Sequence, residues 1–199
     1  MFLLARPVQD SVQQFLKRQA DDRFSYPEIG ATEFDLPSGY NIDHNRIKIG
    51  IGIDTFELAK TAIREWKMFD LGWVELISSE TPIETGQNVA ILVSHFGFYS
   101  LNAARIVYTI DEPTRFGFAY GTLTEHGEIG EERFSIEYHT DSGEVWYDIL
   151  AFSRPASLLA KIGYPISRSL QKAFARDSKM AMQRAVGVAK NSKFRGRVI

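Results

Sequence analysis

The sequence predicts an α+β fold: a curved, seven-stranded antiparallel sheet around a long C-terminal helix, preceded by an N-terminal helix and arm. Three observations predict it. Alternation of apolar and polar residues with period two runs from residue 72 to 152 and breaks only at turn signals. A strand and a helix, RIKIGIGI and DTFELAKTAIREWKMF, precede that run. A three-or-four spacing of apolar residues follows it almost to the end of the chain.

At 199 residues the chain is the size of one domain with a substantial core. Three segments are expected: residues 1–45 as a helix and wrapping arm, 46–190 as the main domain, and 191–199 as a frayed basic tail. In 7–20, Pro7 opens a short helix with Val8, Val12, Phe15 and Leu16 on one face. Residues 21–45 carry Pro27, Gly30, Pro37 and Gly39 without periodicity and read as an irregular arm. In RIKIGIGI, Ile47, Ile49, Ile51 and Ile53 share a face, and Asp54 or Thr55 is placed to cap the next helix. That helix puts Phe56, Ala59, Ile63 and Trp66 on a core stripe. Strands are expected near 72–79, 87–95, 99–110, 115–123, 131–139 and 144–152, and their short connections make neighbours antiparallel. Ser153 and Pro155 read as the cap and first turn of the last helix. Its stripe is Leu159, Ile162, Ile166, Leu170, Ala173, Asp177 and Ala181, with a break at Gly163–Pro165.

Composition excludes several classes. There is no cysteine, which rules out disulfides and thiolate metal sites and fits a reducing, cytoplasmic setting. The run MFLL is too short for the core of a secretion signal, and no stretch approaches the ~18 apolar residues of a membrane-spanning helix. From Arg154 onward there are eleven basic residues and one acid, Asp177, a surplus of ten; since the chain totals −2, the remainder carries −12. That basic segment is either a solvated helix face over an acidic sheet or a surface for phosphates and anionic lipid.

Alternation also assigns faces. Val89, Ile91, Val93 and His95 are expected inside, as are Ile106, Tyr108 and Ile110. So are Phe116, Phe118, Tyr120 and Thr122; Glu132, Phe134, Ile136 and Tyr138; and Val145, Tyr147, Ile149 and Ala151. Glu131, Arg133, Ser135 and Glu137 point outward, with Glu131 in solvent, while Glu144 and Asp148 mark the wet face. The bare face of Gly117, Ala119 and Gly121 permits close approach by the arm. The interior is therefore apolar and aromatic with a few polar tips, the chemistry of a small-molecule pocket. Candidate ligand-binding residues are Tyr108, Phe118, Tyr120, Glu132, Phe134, Tyr147, His95 and Ile166, with His126 and Arg154 at the rim. Glu132 is the sharpest, because a carboxylate on an inner face needs a partner or a raised pKa.

The stretch FAYGTLTEHGEIGEERF, 118–134, is a hairpin in this reading. Its carboxylates repel phosphate, no Gly-Lys-Ser/Thr follows, and His126 with its neighbouring glutamates matches no metal template. GIGID lacks the third glycine of a dinucleotide fingerprint. No metal or cofactor is expected.

The same string, with RIVY before it, AFSRP after it, FSYPEIGAT at 24–32 and GYPISRSLQKAF near the end, closely resembles the DUF1990 family, also called UPF0548. That resemblance implies a START-like, pollen-allergen-like helix-grip fold and carries no established activity. Relatives of that fold commonly hold hydrophobic ligands. The expectation is a binder of a hydrophobic small molecule or lipid between sheet and C-terminal helix. The alternatives are an enzyme of the same fold acting through Glu132 with Tyr120 or His95, and an interaction protein using the basic helix on a membrane surface. Nucleic acid is disfavoured because the aromatic strand faces carry few lysines.

Overall fold

The structure is a computed structural model that describes residues 1–77, 80–95, 97–156 and 164–195, with side chains of the last helix described from 168 to 187. In chain order the elements are β1 (Phe2–Leu3), α1 (Gln9–Arg18), β2 (Asn41–Ile51), α2 (Ile53–Arg64), a 3₁₀ turn (Lys67–Phe69), β3 (Val74–Leu76), β4 (Asn88–Ser94), β5 (Tyr99–Asp111), β6 (Arg115–Thr122), β7 (Glu128–Tyr138), β8 (Glu144–Pro155) and α3 (Tyr164–Arg195). The sheet order is β2-β8-β7-β6-β5-β4-β3, all antiparallel, with the two-residue β1 added to the start of β5. The first long strand thus closes against the last. The 32 residues of α3, roughly 48 Å of helix, pack with α2 and the 3₁₀ turn over the sheet's inner face.

The core lies between that face and the helices. Phe56, Ala59, Ile63 and Trp66 are buried there as the helical stripe requires, together with Phe118, Phe134, Ile136, Val145 and Tyr147 from the strands. A second, smaller core lies on the opposite face, where Val12 and Phe15 of α1 meet Ala90, Leu92, Leu101 and Ala103.

Several local expectations are corrected. β2 begins at Asn41, inside the stretch assigned to the arm, and a register shift between Lys48 and Gly50 turns Ile51 off the core face; Ile51 is exposed, as is Ile53, which lies beyond the strand at the start of α2. Neither Asp54 nor Thr55 caps α2: Gly52, at φ 89°, makes the turn and the helix starts at Ile53, while the Thr55 hydroxyl donates back to the Ile51 carbonyl at 2.6 Å. Ser153 and Pro155 belong to β8, where Pro155 pairs with Glu128. The buried stripe of α3 is Ala175, Ser178, Ala181, Met182 and Val186, with Asp177 beside it donated to by the Trp73 indole at 3.0 Å. Helix α3 continues five residues into the tail expected to fray. Leu159, Ile162, Gly163 and the side chain of Ile166 lie outside the described residues.

The arm does cross the bare face of β6. Phe24 bridges to Leu123, and the Ser25 amide donates to the Thr122 carbonyl at 2.9 Å. A Cβ on Gly121 would stand 2.1 Å from the Tyr26 hydroxyl, so glycine is what lets the arm lie this close. Arg105 anchors the arm's start by donating to the carbonyls of Gln19, Ala20 and Asp22 at 2.7–3.0 Å.

Candidate functional site

Register places one row of side chains across the inner face: Asp43 of β2, Ala151 of β8, Glu132 of β7, Tyr120 of β6 and Ile106 of β5. The Tyr120 hydroxyl donates to Glu132 Oε2 at 2.7 Å. Burial pushes the Glu132 carboxyl up to about 7; the Tyr120 bond opposes the shift and the nearby Asp43 charge adds to it. Burial, and the Glu132 charge beside it, hold the Tyr120 phenol well above its ordinary value, so in this pair the carboxyl titrates first.

Below this row the inner face is closed. Phe118, Phe134 and Tyr147 have no exposed surface. Phe134 stands 5.4 Å from Phe118 and 5.5 Å from Phe69, and Phe69 in turn 5.5 Å from Phe174 of α3. The Tyr147 hydroxyl shares a 2.8 Å hydrogen bond with Ser178 of α3. The aromatic residues expected to line a hollow therefore pack ring on ring and make a floor.

The other end is half-open. Asp43, Ala151, Ser153, Glu132, Arg168 and Gln171 all keep partial solvent contact. Here the first turns of α3 are tied across the mouth. Arg168 forks onto both Asp43 oxygens, with its Nη2 at 2.8 Å from Oδ1, and donates to Gln171 Oε1 at 2.7 Å. The Gln171 amide donates to Ser153 Oγ at 3.1 Å. The site is thus a polar mouth over an aromatic floor.

Of the predicted residues, Phe118, Tyr120, Glu132, Phe134 and Tyr147 stand together on the inner face. The others do not. Tyr108 faces the arm: the register shifts between Ile106 and Tyr108, which reverses alternation beyond that point and pairs Tyr108 with Ala119 and Ile110 with Gly117. Its hydroxyl bonds Thr32 Oγ1 at 2.7 Å, and burial raises its pKa to about 12. His95 lies past the end of β4, stacked 4.5 Å on Phe98 and 2.9 Å from Ser100 Oγ, with a pKa lowered by burial. His126 sits in the β6–β7 turn, where its Nδ1 accepts from the Glu128 amide at 3.0 Å and burial lowers its pKa to about 4. Arg154 is on the outer face, 4.6 Å above the Tyr40 ring. The Ile166 side chain is outside the described residues. Among the described residues no three His, Asp or Glu side chains are grouped to hold a metal ion.

The sequence reading missed Asp43, Ser153, Arg168 and Gln171. Continuing the alternation of Ile47 backward would have put Asn45, Asp43 and Asn41 on the inner face; Arg168 carried no such signal. It also placed Glu131 in solvent. Glu131 does point outward, yet only 2% of it is exposed, because the arm closes over it. Its Oε2 accepts from the Tyr26 hydroxyl and the Gly30 amide, both at 2.7 Å, and its Oε1 from the Thr32 amide at 3.0 Å and the Thr32 hydroxyl at 2.5 Å. Next to it, Arg133 donates to the Thr32 carbonyl at 2.8 Å and to Asp148 Oδ1 at 3.2 Å. Asp148 also receives His44 Nε2 at 2.6 Å, so it too is buried on the face expected to be wet.

This order of strands, the first long strand beside the last, with one long helix laid across the inner face, defines a helix-grip protein. The family model for the domain of unknown function (DUF1990) matches residues 25–181, and the chain belongs to that family. It is 35% identical to a UPF0548 protein of Dictyostelium discoideum over 96% of this chain and 98% of that protein. It is 36% identical to a UPF0548 protein of Deinococcus radiodurans over 94% of this chain and all of that one. Among solved structures it is similar to Ara h 8.0201, at TM-score 0.48 and 15% identity over 74% of this chain and 98% of that one. It is also similar to a Thalictrum norcoclaurine synthase point mutant, at TM-score 0.48 and 12% identity over 78% of this chain and 99% of that one.

Proposed function

We propose that the protein binds a small molecule with an apolar body at the half-open end of the inner face, with its polar group held by Glu132 and Tyr120. The observation that carries this reading is the state of Glu132. It is a half-buried carboxylate on an aromatic face, and among the described residues its hydrogen-bond partner is Tyr120, through one oxygen. Its second oxygen bonds no described group and faces the half-exposed end of the row, where solvent or a ligand can reach it. A ligand group would supply that bond, and the partly exposed ring of Phe174 would take its apolar body.

A second reading is catalysis by the same pair. A carboxyl near 7 exchanges a proton readily at neutral pH, which suits general acid–base chemistry. His95 has no part in it, since its ring is held in the β4–β5 turn. The basic C-terminal surface is the weaker candidate for function: Arg168 is bonded to Asp43, Arg176 to Asp177, and Lys179 to Asn45 at 3.3 Å.

The test is native mass spectrometry of protein purified gently from its own host, with the Ala151→Trp variant beside it. Ala151 separates Asp43 from Glu132 with a single methyl, and an indole there would fill the mouth. A stoichiometric small molecule on the wild type and none on the variant would support binding here. A bare wild-type mass, or a ligand retained unchanged by the variant, would overturn it.

A further inference from the structure

We infer that the mouth selects a protonated amine on an apolar body and rejects carboxylate and phosphate head groups. This rests on the binding reading above and names the chemistry of its ligand.

The acceptors come first. Glu132 presents an oxygen that bonds no described group, since Tyr120 occupies the other. Asp43 lies two strands away in the same row, about 10 Å along the sheet at the usual strand spacing, with only the Ala151 methyl between them. Two carboxylates therefore flank one small side chain, close enough for Asp43 to be felt at Glu132.

The described cations at the mouth are already engaged. Arg168 gives both terminal nitrogens to Asp43, and Gln171 fixes its remaining reach by bonding Arg168 on one side and Ser153 on the other. A guanidinium clamped on a carboxylate in this way is neutralised locally and does not attract a second anion. Lys179, about three turns beyond Arg168 along α3, donates to the Asn45 amide oxygen. Among the described residues the other groups facing the pair are phenols: Tyr120 from β6, bonded to Glu132, and Tyr147 from β8, bonded to Ser178. Lys67 and Asp70 flank the 3₁₀ turn that contributes Phe69, one charge of each sign.

The walls agree. Phe174 keeps partial solvent contact above the buried Phe69, and aromatic faces attract cations. An uncompensated carboxylate beside aromatic rings is the chemistry that holds an ammonium group. A carboxylate or phosphate ligand would meet Glu132 as a like charge, at a place where burial weakens solvent screening.

A matched series tests this. 1-Naphthalenemethylamine, 1-naphthalenemethanol and 1-naphthoate share a ring system and differ in head group, and their binding to the full chain is measured by calorimetry at pH 5.5 and pH 8. At pH 8 the amine is expected to bind about tenfold more tightly than the alcohol, with the acid weakest. At pH 5.5, where Glu132 is protonated, the amine's advantage is expected to fall to about threefold or less. Glu132→Gln should level amine and alcohol while leaving the alcohol bound. Asp43→Asn should remove the carboxylate charge that Arg168 faces and raise the affinity for the acid.

Acid binding equal to or tighter than amine binding in the wild type at pH 8 overturns the inference and leaves the binding reading intact. So does an amine preference that survives Glu132→Gln. Failure of all three to bind at millimolar concentration overturns both.

Discussion

Replacing Glu131 with Gln tests the clamp that holds the arm to the sheet. The carboxylate receives four donors, two on each oxygen. A glutamine keeps one oxygen and its two bonds, and turns an NH₂ toward the two remaining donors. Two charge-assisted hydrogen bonds are lost, each worth about 1.5–3 kcal/mol. Some of that is recovered as the hydroxyl of Tyr26 or Thr32 rotates or the arm lifts into water, so the expected net loss is about 3 kcal/mol. For a chain of this size that lowers the melting temperature by roughly 10 °C. The assay is urea unfolding at pH 7, with limited proteolysis of residues 20–40 to report the arm separately. A loss below about 0.5 kcal/mol, with the arm as resistant to protease as in the wild type, would refute the reasoning.

Three further predictions concern the same network and the two shifted side chains. Gly121→Ala places a methyl where the Tyr26 hydroxyl lies, 2.1 Å away, and should cost about 2 kcal/mol. Combined with Glu131→Gln it should cost clearly less than the sum, because both release the same arm; full additivity in a double-mutant cycle would argue against one docked unit. Glu132, raised to about 7 in the fold from an ordinary 4.5, binds more protons folded than unfolded between those values, so its contribution to stability is lost as pH rises from about 4.5 to 7. Glu132→Gln should therefore gain on the wild type by at most about 3 kcal/mol between pH 5 and pH 8, and a constant difference across that range would count against the shift. His126, lowered to about 4 from an ordinary 6.5, works in the opposite sense: its contribution is full above about 6.5 and lost as pH falls through 4. His126→Asn, which retains an acceptor near Nδ1 for the Glu128 amide, should lessen acid destabilisation between pH 6.5 and 4 in urea titrations; an unchanged acid limb would contradict the shift.

Strand alternation made most of the inner face legible. Val89, Ile91, Phe118, Tyr120, Glu132, Phe134, Tyr147 and Ile149 stand where period two places them, because each strand is regular through those positions. Tyr108 failed because the bulge after Ile106 adds one residue, and a single-residue slip reverses every face beyond it; no residue type in RIVYTI announces it. Ser153 and Pro155 misled because a serine two residues before a proline reads equally well as a helix start and as the end of a strand where one neighbour has stopped: β2 pairs β8 only as far as Ser153, and Pro155 pairs with β7 alone. Glu131 and Asp148 were assigned the correct face and the wrong solvent exposure. Alternation reports direction, whereas burial depends on what covers that face, and the arm that covers Glu131 has no periodicity to read. The glycines of β6 were the available hint, and they did point to the arm. The Asp43–Arg168 pair joins residues 125 apart, a contact that exists only once β2 has closed against β8 and α3 has been laid across them.

The central claim is that small molecules enter at the mouth formed by Glu132, Tyr120 and Ala151. The most direct measurement is NMR shift mapping with 1-naphthalenemethanol on uniformly labelled protein. Saturable shifts are expected at Ala151, Glu132, Tyr120 and Phe174, abolished by Ala151→Trp. Shifts confined to the exposed apolar hollow at Phe2, Leu4 and Phe98, or to the arm, would contradict it.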